Sequence, residues 1–350
     1  MHLIAPTLVG NEHARQYLRL LIERETARGS FLFVGPEGVG KRAVARAFGR
    51  ALQCAATPDR RPCGTCGLCR AWNHGTNPDA LIVRRAADHA AIRLEQIRPT
   101  ANGTTPAQDT VHRRLQLRSV VGPRQVVIIE DADRLNDAAA SALLKTLEEP
   151  RGDTILILTT SALDAVPRTV RSRCTLVYFH RVPTAVIRDA LRLERRLTTP
   201  ERELIASLAD GRPDIAHDLA HSPERLAGEL DAFATLLRTL QGSTQRPFGL
   251  SEAVLPTDRK ASGPVATATF RRLALIVHDV LMVTTGAPSL IRLKRFRVAL
   301  ERLAAGLPEQ PLHQLADFVS TLPALLDQNV SPKNILDRFT NQFAAHAHPR

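Results

Sequence analysis

The chain has 350 residues with 44% hydrophobic and 23% charged, enough for two or three domains with a sizeable core. No apolar run approaches the roughly 20 residues of a membrane span. The start, MHLIAPTLVGNEHARQ, lacks the basic and continuous apolar segments of a secretory signal, so a cytoplasmic protein is expected. A net charge of +12 and a pI near 10.4 suit a phosphate-bearing partner, but 42 Arg against 5 Lys is also what a GC-rich genome produces, and the charge is scattered.

Residues 13–29 have helical apolar spacing and end at Gly29. SFLFVG is a short buried strand, GPEGVGKRA a glycine loop, and KRAVARAFGRALQC the helix after it. Four cysteines come next. NPDALIVR (77–84) reads as a strand, IRLEQIR (92–98) starts a helix, and PTANGTTPAQDTVH (99–112) is a surface loop. RQVVIIEDADRL is a strand with acids at its carboxyl end, NDAAASALLKTLEEP a helix stopped by Pro150, and DTILILTTS and CTLVYF (174–179) two more strands. Continuous apolar strands alternating with helices predict a parallel sheet covered on both faces. After about residue 180 strand signals vanish. PTAVIRDALRLERRL is helical; TTPERELIASLADG has Thr199 as N-cap, Pro200 at the first helical position and Gly211 past the end. Amphipathic helices fill 225–345, with a loop expected over 242–264.

The glycine loop comes close to the pattern G-x-x-x-x-G-K-[ST]. Gly35, Gly38 and Gly40 shape a turn whose amides cradle phosphates, and Lys41 would reach the terminal ones. The next residue should carry a hydroxyl for Mg²⁺ and is Arg42, which has no acceptor. In a P-loop ATPase an Asp at the end of the next core strand helps hold Mg²⁺. In the AAA+ type a catalytic Glu comes directly after it. Here the pair is Glu130-Asp131, with the two lengths swapped. Three changes in one site predict impaired hydrolysis, with nucleotide binding left open.

Cys54, Cys63, Cys66 and Cys69 fall within sixteen residues, a spacing that suits tetrahedral Zn²⁺ held by four thiolates in a structural role. Gly64 and Gly67 are expected to turn the backbone so that its amides face the sulfurs. VRSRC places Arg173 beside the last strand, where a guanidinium at a domain edge can serve a phosphate held by a neighbouring subunit. Cys174 is then a small buried hydrophobe.

Together these segments resemble the clamp loader of bacterial DNA polymerase III, an AAA+ assembly. GPEGVGKR, the four-cysteine insert, NPDALIV, ALLKTLEEP (142–150) and VRSRC keep the family's order, and the likeness is strong over 6–180 and architectural beyond. The family contains motor subunits with intact nucleotide motifs and a non-motor partner with a degraded site that keeps the zinc and an arginine finger. This chain departs from the motors at Arg42, Glu130, Asp131 and GRPDIAHDLA, where motors have Gly-Ser-Pro-Gly-Arg-Ala and the position of their nucleotide-sensing Arg is Ile215. The resemblance implies an AAA+ P-loop domain at 1–179 with a zinc module at 54–69, a helical lid at 180–222 and an all-α collar at 223–350. It implies a rigid stator in a hetero-pentamer with motor and clamp-opening subunits, acting on a sliding clamp and primer–template DNA. Arg173 would reach the γ-phosphate of ATP on the adjacent motor, while ATP or ADP binding at its own loop (Gly35, Gly38, Gly40, Lys41, Glu130, Asp131) stays open. Two other readings remain: an ATP-hydrolysing motor of the same loader, since the lysine and both acids are present, and a zinc-containing DNA-binding module.

Overall fold

The computed structural model describes residues 9–86, 89, 91–100, 105–106, 110–116, 118–148, 152–243, 250–256, 259–305, 307–327 and 330–347. The chain forms two compact units, Met1–Arg195 with Ala209–His217, and Arg196–Leu208 with Asp218–Arg350.

In the first unit α1 (Glu12–Glu23) precedes β1 (Ser30–Val34), α2 (Lys41–Gln53), α3 (Gly67–His74) and β2 (Ala80–Val83). Then come one-turn α4 (Leu94–Ile97), α5 (Val111–Gln116), β3 (Gln125–Ile129), α6 (Asp137–Glu148), β4 (Thr154–Thr160), α7 (Arg168–Arg171), β5 (Thr175–Tyr178) and α8 (Thr184–Ala190). The five strands are all parallel in the order β2-β3-β4-β1-β5. β1, β3 and β4 are buried at every position: the apolar runs FLFV, VVII and ILIL predict this, and the flanking Ser30, Gln125, Thr154, Thr159 and Thr160 are buried with them. Alternate residues divide between two cores. Phe31, Phe33, Val126, Ile128 and Ile157 face α1 and α2, while Leu32, Val127, Ile129, Leu156 and Leu158 face α6 and its neighbours. Each fully buried Leu or Phe contributes about 1.5–3 kcal/mol by removal from water.

Three local expectations are corrected. The first helix stops at Glu23, not Gly29, because Thr26 N–H bonds the Leu21 carbonyl and Glu25 N–H bonds Ile22, with Glu25 left-handed at φ 52°. That is a Schellman stop with Glu where glycine is usual, which hid it from the sequence. The cap of α9 (Thr199–Ala209) is Thr198, not Thr199. Glu201 Oε2 accepts from Thr198 N at 2.8 Å, and Thr198 Oγ1 accepts from Glu201 N at 3.4 Å. The Glu three residues on selects the first of two adjacent threonines. Part of 242–264 is helical rather than loop, since helices cover Leu250–Val254 and begin again at Arg259. Of 99–112, residues 101–104 and 107–109 lie outside the described residues, as does the expected helix stop at Pro150.

The second unit is helical. Its main elements after α10 (Pro213–His221) are α11 (Pro223–Ser243), α12 (Leu250–Val254), α13 (Arg259–Thr284), α14 (Arg297–Ala304), α15 (Glu309–Asp327) and α16 (Pro332–Ala347). Its core includes Phe233, Leu240, Leu273, Leu315, Phe339 and Phe343. The fully buried Asp279 accepts from the amides of Arg292 (3.1 Å) and Leu293 (2.6 Å) and so fixes the chain entering α14. Among the described residues no helix is long and apolar enough to cross a membrane.

Candidate functional site

The glycine loop sits where the sheet topology requires it, between the carboxyl end of β1 and the start of α2. The first bond inside α2 is Val44 N–H to the Gly40 carbonyl at 2.9 Å, so the amides before it are presented at the helix start. Gly35 lies so close to β5's end that a Cβ would stand 2.2 Å from the Phe179 carbonyl oxygen. Gly38 (φ 76°) is covered by the stem of Arg212, whose Cβ would be 3.1 Å from an added Cβ. The loop also accepts from α10, Asp214 N–H bonding the Gly38 carbonyl at 3.1 Å. Packing therefore holds these glycines in place, whatever the loop binds.

Lys41 is 7% exposed, and its Nζ donates back into the loop, to Gly35 O at 2.5 Å and Pro36 O at 2.6 Å. Burial lowers its pKa to about 8, against the pull of Glu37, Asp131 and Asp133. The largest departure from the sequence expectation is at the acids. Glu130, 2% exposed at the end of β3, lies among three guanidinium groups. Arg46 Nη2 donates to its Oε1 at 2.6 Å, Arg84 Nε stands 3.1 Å from Oε2, and Arg42 Nε stands 3.6 Å from Oε2. Arg42 Nη2 also donates to Asp131 Oδ2 at 2.5 Å, and that bond raises the pKa of Arg42 further. Asp131 is left-handed at φ 60°, and its amide bonds Thr159 Oγ1 at 3.2 Å.

The oxygens that would coordinate Mg²⁺ thus face fixed cations. A second cation beside them meets repulsion, and no hydroxyl stands at position 42 to complete its shell. The residues do not fit magnesium. The cavity beside the loop, lined by Gly10, Asn11, Val39, Ala43, Pro213 and Asp214, is about 10 Å³, the space of a single water. Ile215 is half-buried in α10, and the contacts from this segment to the loop are the stem of Arg212 over Gly38 and the Asp214 amide on the Gly38 carbonyl.

Sequence reasoning missed Arg46, whose helical spacing from Arg42 is readable, and Arg84, whose place beside Glu130 depends on the strand register. Arg46 is one helical turn after Arg42 on the same face of α2. Val83 pairs with Ile129 in register, so the next residues, Arg84 and Glu130, emerge side by side.

The four cysteines come together. Their sulfurs all lie within 4.8 Å of one another, and Cys54 Sγ and Cys66 Sγ are 3.9 Å apart. Thiolates about 2.3 Å from a tetrahedral Zn²⁺ stand roughly 3.8 Å from each other, so this donor set fits a closed four-sulfur metal site. Backbone amides face the sulfurs: Cys63 N to Cys54 at 3.3 Å, Cys66 N to Cys63 at 3.3 Å and Cys69 N to Cys66 at 3.4 Å. The Cys66 amide is the strongest of the contacts that lower the Cys63 pKa to about 6, while burial raises those of Cys54 and Cys69. Gly64 is left-handed (φ 78°), as expected, but Gly67 simply begins α3, with Cys66 as its cap. The insert is fastened to the sheet through buried Gln53. Its Nε2 donates to the carbonyls of Asp79 and Arg124, each at 2.8 Å, and its Oε1 accepts from Trp72 and Asn77.

Arg173 lies just past α7 at the edge of the sheet. Cys174 packs against the core behind it, and burial raises its thiol pKa to about 12. The nucleotide-type residues and the cysteines therefore form two separate clusters within one unit, and Arg173 a third.

A parallel sheet of this order, a glycine loop opening α2, paired acids after β3 and a four-cysteine insert define a P-loop domain of the AAA+ class. Residues 10–183 match the family described as DNA polymerase III, delta subunit. The chain is 36% identical over 145 residues to DNA polymerase III subunit delta' of Pseudomonas aeruginosa, covering 41% of each chain. It is 31% identical over 216 residues to the delta' subunit of Yersinia pestis (60% of each) and 30% over 211 residues to subunit tau of Bacillus subtilis (58% of this chain, 35% of that one). The chain thus spans between about a third and three-fifths of these relatives. Through its first unit the chain belongs to the DNA polymerase III clamp-loader family of AAA+ subunits.

Proposed function

We propose that the chain is the non-hydrolysing, delta-prime-type subunit of the clamp loader, a stator that assists loading of the sliding clamp on primed DNA. One observation carries this reading: Arg42, Arg46 and Arg84 surround Glu130, with Arg42 also on Asp131, where a motor needs free acids for Mg²⁺ and water. With Lys41 turned onto its own loop, the site holds itself together through internal pairs. Hydrolysis then belongs to neighbouring motor subunits, and Arg173 is offered in trans to the γ-phosphate of one of them. Cys54, Cys63, Cys66 and Cys69 hold a structural Zn²⁺ with no open position for chemistry. A lid at 180–222 and a collar at 223–350 join the chain into a hetero-pentamer with motor and clamp-opening subunits in the cytoplasm, and DNA is met through that complex.

The test is steady-state hydrolysis and equilibrium binding of ATP by the isolated chain with Mg²⁺. No turnover is expected, alone or with DNA and clamp. The likeness to tau and the retained Lys41 favour the motor reading, and turnover at a motor's rate would put it in place of this one.

A further inference from the structure

Every nitrogen of the Arg173 guanidinium is already engaged within the chain. Nε donates to Glu148 Oε1 at 2.6 Å, and Nη2 donates to the same oxygen. Nη1 donates to the Thr169 carbonyl at 2.9 Å and to Ser172 Oγ at 3.3 Å. Both partners hang on fixed backbone. Glu148 ends α6 directly after Leu147, which is 2% exposed, and Arg173 directly precedes Cys174, which packs against the same core. Because Nε and Nη2 share one carboxylate oxygen, the second N–H of Nη2 is left for an incoming oxyanion. The acid thus fixes the direction of the guanidinium without using all its donors.

We infer that Glu148 is a positioning residue for Arg173, holding its guanidinium at the sheet edge so that it meets a partner subunit's phosphate already ordered. This rests on the reading of Arg173 as a finger in trans. An unheld arginine must lose its rotamer freedom at the encounter, and a pre-ordered one does not. That difference is worth up to about tenfold in rate. Because the pair is half exposed and screened, about three- to tenfold is expected.

The experiment is ATP turnover by the motor subunits in the reconstituted complex, with assembly monitored by gel filtration. Glu148→Ala lowers kcat by about three- to tenfold with KM for ATP unchanged, since a finger acts on charge developing in the transition state. Glu148→Gln, whose Oε1 still accepts both N–H groups, stays within about twofold of the parent. In an Arg173→Ala background, Glu148→Ala has no further effect. Three results overturn the inference: full kcat in Glu148→Ala, an equal loss in the Arg173→Ala background, or a Glu148→Gln variant as slow as Glu148→Ala. If Arg173→Ala itself leaves turnover unchanged, the finger reading falls and takes the inference with it. Slow Arg173→Ala beside normal Glu148→Ala removes the inference alone.

Discussion

Glu130→Gln tests whether arginines have taken the place of metal. The substitution keeps size and one acceptor but removes the charge that three guanidinium groups share. A unit pair at about 4 Å is worth about 4 kcal/mol at an effective dielectric of 20. That gross figure does not survive here, because the Arg42, Arg46 and Arg84 side chains are 52%, 42% and 55% exposed while that of Glu130 is 3% exposed. Breaking a buried pair costs about 3–5 kcal/mol and an exposed pair about 1 or less, so a buried acid with half-exposed partners falls near 2 kcal/mol. For a unit of this size that lowers the melting midpoint by about 4–8 °C. The single tryptophan, Trp72, lies against α2 in the same unit and gives a fluorescence signal for its unfolding. The midpoint is measured with EDTA and with millimolar Mg²⁺. The same fall is expected in both, with no effect of Mg²⁺ on the parent. A Glu130→Gln midpoint within about 1 °C of the parent would refute the substitution of metal by arginine. So would a Mg²⁺-dependent rise in the parent that the variant loses, since Glu130 would then be a metal ligand.

Cys66→Ser is expected to lower bound zinc, measured by metal analysis, and to loosen the insert, seen as a shift in Trp72 fluorescence; a parent free of zinc would end the metal assignment. Gly35→Ala is expected to cost folding rather than ligand binding alone, because its Cβ would stand 2.2 Å from the Phe179 carbonyl oxygen; a normally stable variant would contradict that packing. Lys41→Met isolates a pH effect. The folded pKa of Lys41 is lowered from 10.5 to about 8, so between those values the unfolded chain binds a proton that the folded chain does not. Parent stability should therefore rise from pH 8 to 10.5 relative to Lys41→Met, by at most about 3 kcal/mol, read by denaturant unfolding. A flat difference across that window would show that the two loop carbonyls hold Lys41 charged.

The sheet was legible because a buried parallel strand has no face to disguise: FLFV, VVII and ILIL are unbroken apolar runs within β1, β3 and β4, and the glycine loop marks the turn from β1 into α2. Hidden from the sequence were contacts between elements far apart along the chain. Arg42 reads alone as a missing hydroxyl, but its meaning depends on Asp131, 89 residues away, and on Arg46 and Arg84 converging on Glu130. Gln53 reads as the polar end of a helix, yet it is fully buried and joins the insert to β2 and β3. The swapped acids suggest only a weakened site when read one by one. Paired with the arginines they form an ion-pair cluster, in which the chain itself supplies positive charge to Glu130 and Asp131. Arg42 and Arg46 reach Glu130 from α2 and Arg84 reaches it from the end of β2, so the buried glutamate ties α2 to β2 and β3, and the packing of Gly35 and Gly38 with the carbonyl bonds of Lys41 holds the start of α2 in the same place.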